Sequence, residues 1–234
     1  MNIFDAHSDV LYKMYLDKTI SFQDSPKLHI TYEKLKKSNA KVQCFALYIP
    51  ENEINQAFEV TIEMIDIFYQ KILKNFPKMK LVTSQEDIRK LKDDEIGAML
   101  SLEGCEAIGT SLEKLRTLYR LGVTSIGLTW NHANLVADGV LEKRNAGLTT
   151  FGREVVLQNN LAKIWTDISH LSEAGFWEVM EIGEHVIASH SNVKALCNHP
   201  RNLLDNQLKA LIEKDGVIGI TFVPQFLVEE GKAT

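Results

Sequence analysis

Five side chains of types that bind divalent metals lie just after, or at the end of, apolar runs of the sequence. His7 and Asp9 follow the first run and are two residues apart, so both project from one face of an extended strand. Glu103 follows a longer run, and His170 and His190 come at the ends of two later ones. Imidazole and carboxylate groups together suit a borderline-hard divalent ion such as Zn²⁺. None of these residues is specific alone, and the prediction of a metal site depends on their equivalent positions.

The number of candidate ligands indicates the kind of site. A catalytic zinc takes three protein ligands plus water, whereas five ligands suit two ions that share one carboxylate. One ion would take His7, Asp9 and Glu103. The other would take Glu103, His170 and His190. Two such ions can hold a bridging hydroxide and polarise a carbonyl, so the sequence predicts a binuclear hydrolase with two Zn²⁺ or other divalent ions.

Short apolar strands that alternate with helices would position these residues. Seven strand-like runs occur, at residues 3–5, 42–49, 96–102, 125–129, 164–168, 186–188 and 217–223. Helical spacing extends over 52–75, and further helix boundaries are indicated by Ser84, Ser111, Gly122, Asp205 and Gly216. This repetition predicts parallel strands whose carboxyl ends meet in one crevice, with a long loop over 131–145. Arg201, on the loop after the sixth strand, could bind a substrate carboxylate through two hydrogen bonds.

Composition and charge exclude several classes of protein. The 234 residues contain no linker or low-complexity tract, so we expect a single domain over residues 1–234, either an α/β barrel or an open doubly wound sheet. A net charge of −5 gives no basic surface for nucleic acid, and no apolar run reaches the roughly 20 residues that span a membrane. Three scattered cysteines and the lack of a signal-peptide pattern predict a cytoplasmic protein. His29, His185 and His199 have no strand-end position and are expected at the surface.

Four tracts together resemble the membrane (renal) dipeptidase family of zinc metallopeptidases, in its soluble bacterial type. They are Ile-Phe-Asp-Ala-His-Ser-Asp-Val-Leu at 3–11, Ser-Leu-Glu-Gly at 101–104, Trp-Thr-Asp-Ile-Ser-His at 165–170 and Ile-Ala-Ser-His-Ser-Asn at 187–192. The tracts 147–154 and 199–203 are also similar to the family. The resemblance implies a TIM-barrel-like (β/α)8 metal-dependent hydrolase with two zinc ions at the mouth of the barrel.

The same resemblance implies roles for individual residues. The five candidate ligands match the family's zinc ligands, with Glu103 as the shared carboxylate. Arg201 matches the arginine that binds the terminal carboxylate of a dipeptide, and Tyr48 matches a tyrosine at the substrate mouth. His132 lies in the loop where the family has a histidine that helps to hold the reacting oxygen, and a loop histidine without that role is the alternative.

Family members cleave dipeptides, including those with a D-residue at the C-terminal position. Their leaving amine takes its proton from an aspartate in a Gly-Ser-Asp-Phe-Asp-Gly-like tract on the eighth strand, which has no counterpart in these 234 residues. We therefore expect a C-terminally truncated barrel that lacks its eighth strand. The parent protein would be a competent dipeptidase, whereas the turnover of this chain is in doubt. The expected partner is a dipeptide, not a nucleic acid or a membrane. Whether the protein also forms a homo-oligomer is left open.

Two other functions remain open at this stage. Another amidohydrolase-like barrel would also carry metals at its strand ends, although such enzymes commonly have His-x-His on the first strand instead of the His7-x-Asp9 seen in this sequence. A non-catalytic metal-binding relative is the other alternative, because the catalytic acid of the family has no counterpart.

Overall fold

The computed structural model describes residues 2–228 and 231–232 of the chain. These residues form two compact units, unit 1 (Met1–Thr124) and unit 2 (Ser125–Thr234). No helix in the described part of the chain is both long enough and apolar enough to cross a membrane.

Unit 1 alternates parallel strands with helices. Its elements are β1 (Ile3–Asp5), α1 (Val10–Leu16), α2 (Tyr32–Ser38), β2 (Ala40–Tyr48), α3 (Ala57–Ile67), β3 (Met79–Leu81), α4 (Gln85–Lys90), β4 (Ile96–Glu103) and α5 (Leu112–Arg120). A 3-10 turn, Glu51–Gln56, precedes α3 and a π-helical turn, Phe68–Leu73, follows it. The predicted helix over 52–75 is therefore almost entirely helical, but in three hydrogen-bonding patterns.

The sheet of unit 1 is parallel, in the order β1-β2-β4. Strands β2 and β4 pair without a break from Val42 opposite Gly97 to Tyr48 opposite Glu103. All eight residues of β4 are buried, as expected for a parallel strand with both faces covered. Strand β3, which the sequence analysis missed, pairs with the first three residues of β4.

A cluster of aromatic rings fills the core beside this sheet. Phe45 on β2 packs against Phe22 and Phe68, with ring centroids 5.6 and 5.5 Å away. Phe22 also contacts Phe76 edge to face at 5.4 Å. Because Phe22, Phe45 and Phe68 are almost fully buried, this cluster fixes β2 and therefore the end of the strand that leads into the site.

Unit 2 continues the pattern with shorter strands. Its elements are β5 (Val123–Gly127, which straddles the boundary), α6 (Thr150–Ala162), β6 (Trp165–Asp167), α7 (Glu173–Ile182), β7 (Val186–Ala188), α8 (Asp205–Glu213), β8 (Val217–Ile218) and α9 (Pro224–Leu227). Parallel ladders join β5 to β6, β6 to β7 and β7 to β8. A loop over 128–149 separates β5 from α6 and includes the predicted 131–145 loop.

The last predicted strand, 217–223, is wrong in its length. Only Val217–Ile218 is a strand. Gly219 extends the pairing by two hydrogen bonds, because its amide donates to the Ala188 carbonyl and its carbonyl accepts from the Ser191 amide. Beyond it the Asn192 side chain accepts from the Thr221 amide and donates to the Thr221 carbonyl, at 3.1 and 3.0 Å. A side-chain amide thus replaces a neighbouring strand as the partner of this backbone.

Most predicted helix boundaries are confirmed. Ser84 and Ser111 accept hydrogen bonds from the backbone of the third residue after them, as helix N-caps do. Gly122, with φ of +95°, follows α5 in the left-handed region. The helix α8 ends at Glu213, and the left-handed residue after it is Asp215, just before Gly216. Gly216 instead allows a close approach, because a Cβ there would lie 2.4 Å from Leu211.

The α/β class with seven consecutive parallel strand units is confirmed, and β3 is an additional edge strand. Strand β8 is thus the seventh of the predicted strands. Among the described residues no further strand follows it, as the sequence predicted.

Candidate metal and substrate sites

In unit 1 the structure brings together three predicted ligands, His7, Asp9 and Glu103. The Nε2 atom of His7 lies 3.5 Å from Oδ1 of Asp9 and 3.6 Å from Oε2 of Glu103. His7 follows β1 by two residues, Asp9 is the N-cap of α1, and Glu103 is the last residue of β4. Glu103 is buried, whereas the Asp9 side chain is half-exposed. We name these residues the carboxylate cluster, since two of its three donors are carboxylates.

Backbone contacts fix the turn that carries His7. The His7 amide donates to the Asp5 carboxylate at 3.2 Å, and burial raises the pKa of Asp5 above its usual value. The Ser8 hydroxyl donates to the Cys44 carbonyl at 3.0 Å, while the Ser8 carbonyl accepts from the Ala46 amide at 2.9 Å. These bonds attach the turn to β2.

Tyr48 stands at the end of β2, opposite Glu103 in the ladder. Its ring contacts Tyr12 edge to face, with centroids 5.1 Å apart. Burial, and then the nearby negative charge of Glu103, raises the pKa of Tyr48 to about 12. The phenol therefore keeps its proton at neutral pH and can donate a hydrogen bond.

In unit 2 the structure brings together the other two predicted ligands, which we name the imidazole pair. The Nε2 atoms of His170 and His190 are 2.8 Å apart, and their ring centroids are 4.8 Å apart. His170 lies in the left-handed region with φ of +67°, which costs free energy for a residue with a Cβ and is common at functional sites.

The second nitrogen of each ring has a side-chain partner. Nδ1 of His170 is 2.7 Å from Oδ1 of Asn131, and Nδ1 of His190 is 2.7 Å from the hydroxyl of Ser189. An amide oxygen only accepts, so His170 carries its proton on Nδ1. The Ser189 hydroxyl gives its proton to the Asp167 carboxylate, so it accepts from Nδ1 of His190.

This assignment leaves a lone pair on the Nε2 atom of each neutral imidazole. Two such atoms 2.8 Å apart cannot hydrogen-bond to each other without an added proton. A cation that both nitrogens coordinate would stabilise this arrangement, as would one proton shared between them. The donors of the imidazole pair and of the carboxylate cluster thus fit the divalent metal that the sequence predicts.

Arg201 lies beside the imidazole pair and is almost fully buried, at 4% exposure. One guanidinium nitrogen donates to the backbone carbonyl of His190 at 2.9 Å. The guanidinium also stacks over Phe226, with its central carbon 5.5 Å from the ring centroid. His199, predicted at the surface, is half-buried against the same ring, and this burial lowers the pKa of its imidazole.

A cavity of about 190 Å³ adjoins these groups in unit 2. His170, Leu171, Lys194 and Arg201 are among the residues that line it. A buried arginine at the wall of a cavity is suited to bind a carboxylate of a small ligand.

His132 is placed differently from the other predicted residues of unit 2. Its side chain is 56% exposed, with Nδ1 3.5 Å from the Glu142 carboxylate. The ring beside His170 is that of Trp130, at 6.0 Å between centroids. The sequence pattern did not indicate Trp130 or Asn131, although both precede His132 in the same loop.

The loop after β5 is fixed to the imidazole pair by its own backbone. The Val140 amide donates to the His170 carbonyl at 2.7 Å, and the Leu141 amide donates to the Asn131 carbonyl at 2.9 Å. Gly139 makes this approach possible, because a Cβ there would lie 2.4 Å from the carbonyl of Asn131. The positions of Asn131 and His170 thus depend on a residue without a side chain.

The parallel α/β fold and these clusters define a metal-dependent hydrolase. More specifically, the chain belongs to the membrane dipeptidase family (peptidase family M19), which it matches over residues 1–234. The family predicted from the four sequence tracts is therefore confirmed.

Similar proteins agree with this assignment. A protein encoded in the PQQ-III 3′ region of Acinetobacter calcoaceticus is 28% identical, over 98% of this chain and 83% of its own length. Dipeptidase 3 of Rattus norvegicus is 26% identical over 94% of this chain. A metallopeptidase from Rhodobacter sphaeroides, solved with a phosphinate mimic of the dipeptide L-Ala-D-Ala, superposes with a TM-score of 0.92 at 26% identity.

The chain is shorter than these proteins. It covers 77% of the Rhodobacter sphaeroides structure while matching over its own full length. It spans 47% of the length of the rat Dipeptidase 3.

Proposed function

We propose that the protein is a zinc-dependent dipeptidase that hydrolyses dipeptides, including those with a C-terminal D-residue. The observation that carries the proposal is the imidazole pair, whose two basic nitrogens face each other at 2.8 Å next to a buried arginine. Membership of the dipeptidase family supports the reaction. The phosphinate mimic of L-Ala-D-Ala bound to the Rhodobacter sphaeroides enzyme supports the substrate class.

We propose two zinc ions per chain, one held by each cluster. His7, Asp9 and Glu103 would hold one ion, and His170 and His190 would be ligands of the other. Divalent ions bound in this way polarise a carbonyl and lower the pKa of water. Other divalent ions fit the same donors less specifically.

Arg201 is proposed to bind the C-terminal carboxylate of the substrate. Its contact with the His190 carbonyl fixes the guanidinium next to a metal ligand. The distance from the terminal carboxylate to the reacting carbonyl is thereby limited to about one residue, which favours dipeptides over longer peptides.

Two more residues are proposed to contact the substrate. Tyr48 keeps its phenol proton at neutral pH and would donate a hydrogen bond at the substrate mouth. His132, with its exposed ring, would contact substrate from the loop after β5. The proton for the leaving amine belongs, by family resemblance, to an aspartate of an eighth strand, and we assign it to none of the described residues.

An assay on the full-length protein tests the proposal. We expect hydrolysis of Gly-D-Ala and L-Ala-D-Ala, loss of that activity with dipicolinate, and recovery with Zn²⁺. The same dipeptides with an amidated C-terminus should be poor substrates, because Arg201 loses its ion pair. Hydrolysis of a cyclic amide but not of dipeptides would indicate another amidohydrolase. Bound metal with neither activity would indicate a non-catalytic relative.

We further propose a cytoplasmic location. Within the described residues the three cysteines, Cys44, Cys105 and Cys197, are buried and form no disulfide, which supports a reducing compartment. Cell fractionation with an antibody tests this, and recovery in the periplasm or medium would contradict it.

A further inference from the structure

Asp167, the last residue of β6, is connected to the imidazole pair through Ser189. It is 5% exposed. Its Oδ1 atom accepts the backbone amides of Ser169 and Ser189, both at 3.0 Å. Its Oδ2 atom accepts the hydroxyl proton of Ser189. A buried carboxylate with three donors aimed at it is held in one orientation.

The single proton of the Ser189 hydroxyl determines the rest of the chain of hydrogen bonds. Because that proton goes to Asp167, the Ser189 oxygen can only accept from the neighbouring imidazole. Nδ1 of His190 therefore carries the ring proton, and Nε2 keeps the lone pair. The direction of the whole chain, from ring to hydroxyl to carboxylate, is set by the negative charge at its end.

We propose that Asp167 is a positioning residue that acts through Ser189 to fix the tautomer and ring orientation of His190. The basic nitrogen of His190 is thereby presented to the metal before the metal binds. This inference rests on the proposed role of His190 as a metal ligand. Asp167 does not touch the reacting atoms, and it acts only through the two residues that connect it to them.

The two rings of the imidazole pair obtain the same tautomer by different means. The amide oxygen of Asn131 contacts Nδ1 of His170 directly and can only accept. A hydroxyl can either donate or accept, so the direction of the hydrogen bond between Ser189 and His190 depends on the Asp167 carboxylate. Asp167 is thus necessary at His190, and His170 has no need of an equivalent carboxylate.

The Asp167→Asn variant is expected to reverse this chain. Asparagine can keep both backbone contacts through its Oδ1, while its NH₂ group replaces Oδ2 and donates to Ser189. The hydroxyl would then donate to Nδ1 of His190, and the ring proton would move to Nε2, where it competes with the metal. The Ser189→Ala variant removes the partner without reversing it, so its effect should be smaller.

The test measures Co²⁺ binding to the full-length protein by competition with a chelator. We expect about 100-fold weaker binding in D167N and about tenfold weaker binding in S189A, the range measured when the outer partners of metal ligands are lost. Ser191→Ala is the matched control, because this serine is also buried and its hydroxyl, among the described residues, has no hydrogen-bond partner. Binding by S191A should equal that of the wild type.

Proton NMR of the zinc-loaded protein provides a second measurement that does not depend on activity. A hydrogen-bonded Nδ1 proton of His190 should be visible in the wild type and in S191A, and lost to solvent exchange in S189A. If D167N does not fold, S189A and S191A decide the question by themselves. Equal Co²⁺ affinity and equal spectra for these two serine variants would overturn the proposal.

The outcome is separable from that of the proposed function. Weak Co²⁺ binding by S189A in a protein that hydrolyses no dipeptide would uphold the positioning role and refute the dipeptidase. Dipeptide hydrolysis by the wild type with unchanged Co²⁺ binding by S189A would uphold the dipeptidase and refute the positioning role.

Discussion

The carboxylate cluster of unit 1 and the imidazole pair of unit 2 differ in two respects. Their candidate metal donors differ in charge, and different hydrogen bonds hold those donors in place. Two of the three donors in the first are carboxylates, and its histidine is held through its backbone amide, which donates to the Asp5 carboxylate. Both donors in the second are neutral rings, each held at Nδ1 by a side chain. Under the proposed function, charge would attract the cation to the carboxylate cluster, whereas proton placement would prepare the donors of the imidazole pair. Substitutions that remove charge and substitutions that alter hydrogen bonds should therefore affect the two clusters differently.

The largest effect is expected from Glu103→Gln in the carboxylate cluster. The substitution keeps the shape of a buried side chain but removes its charge, so bound metal should decrease and dipeptide hydrolysis should fall roughly 10³-fold. Metal analysis and kcat/KM measure the two effects. Glu59→Gln, at an exposed position of α3, is the control. Full metal content in E103Q would show that charge at this cluster is not what binds the ion.

His170→Asn tests the imidazole pair, where backbone conformation opposes function. Asparagine tolerates the left-handed region better than histidine, so the metal-free variant should melt at no lower temperature than the wild type. Loss of the ring should weaken Co²⁺ binding at least about 100-fold. Thermal melts and chelator competition measure both quantities, with the exposed His29→Asn as control. A clear drop in melting temperature would mean that contacts of the ring outweigh the strain.

Arg201→Lys should have a smaller and more selective effect. Lysine offers a point charge and cannot both contact the His190 carbonyl and form two parallel bonds to a carboxylate. We expect KM for L-Ala-D-Ala to rise about tenfold, which is about 1.4 kcal/mol, while kcat changes less. Arg120→Lys, exposed on α5, is the control. An equal rise in KM for the dipeptide amide would argue against an ion pair with the substrate.

The smallest effect concerns Tyr48 and stability at alkaline pH. Because its pKa is raised from 10.0 to about 12 in the folded protein, the folded state binds this proton more tightly than the unfolded state. Stability due to this group is unchanged below pH 10 and falls as the pH rises towards 12. The fall should be less steep in Tyr48→Phe, as measured by urea unfolding across that range, than in the wild type or Tyr32→Phe. Identical slopes would contradict burial as the cause.

The sequence indicated which candidate ligands lie close together, but not which residues hold them in place. His7, Asp9 and Glu103, and separately His170 and His190, were predicted because each lies at the end of, or just after, a short apolar run, a pattern that local sequence carries. The partners at Nδ1 could not be found in this way. Asn131 meets His170 across 39 positions of sequence, and Asp167 meets Ser189 across 22. Such contacts depend on the positive φ of His170 and on loop packing, not on periodicity.

The errors in secondary structure also have physical reasons. Strand β3 reads Met-Lys-Leu, and its central lysine interrupts the apolar run by which the other short strands were predicted. Residues 219–223 are apolar enough to be predicted as strand, but at Thr221 the Asn192 side-chain amide takes the backbone bonds that a neighbouring strand would have made. An apolar composition indicates that a segment can join a sheet, but one side chain that bonds to its backbone can end the strand pairing.

Gly139 has a consequence for how the chain can evolve. Any side chain at this position would displace the Asn131 carbonyl and so disturb the ring of His170, a proposed metal ligand. Natural variation should therefore be nearly as restricted at position 139 as at the histidines. In a library of random variants, its replacement by alanine should be depleted under selection for activity while the protein is still expressed.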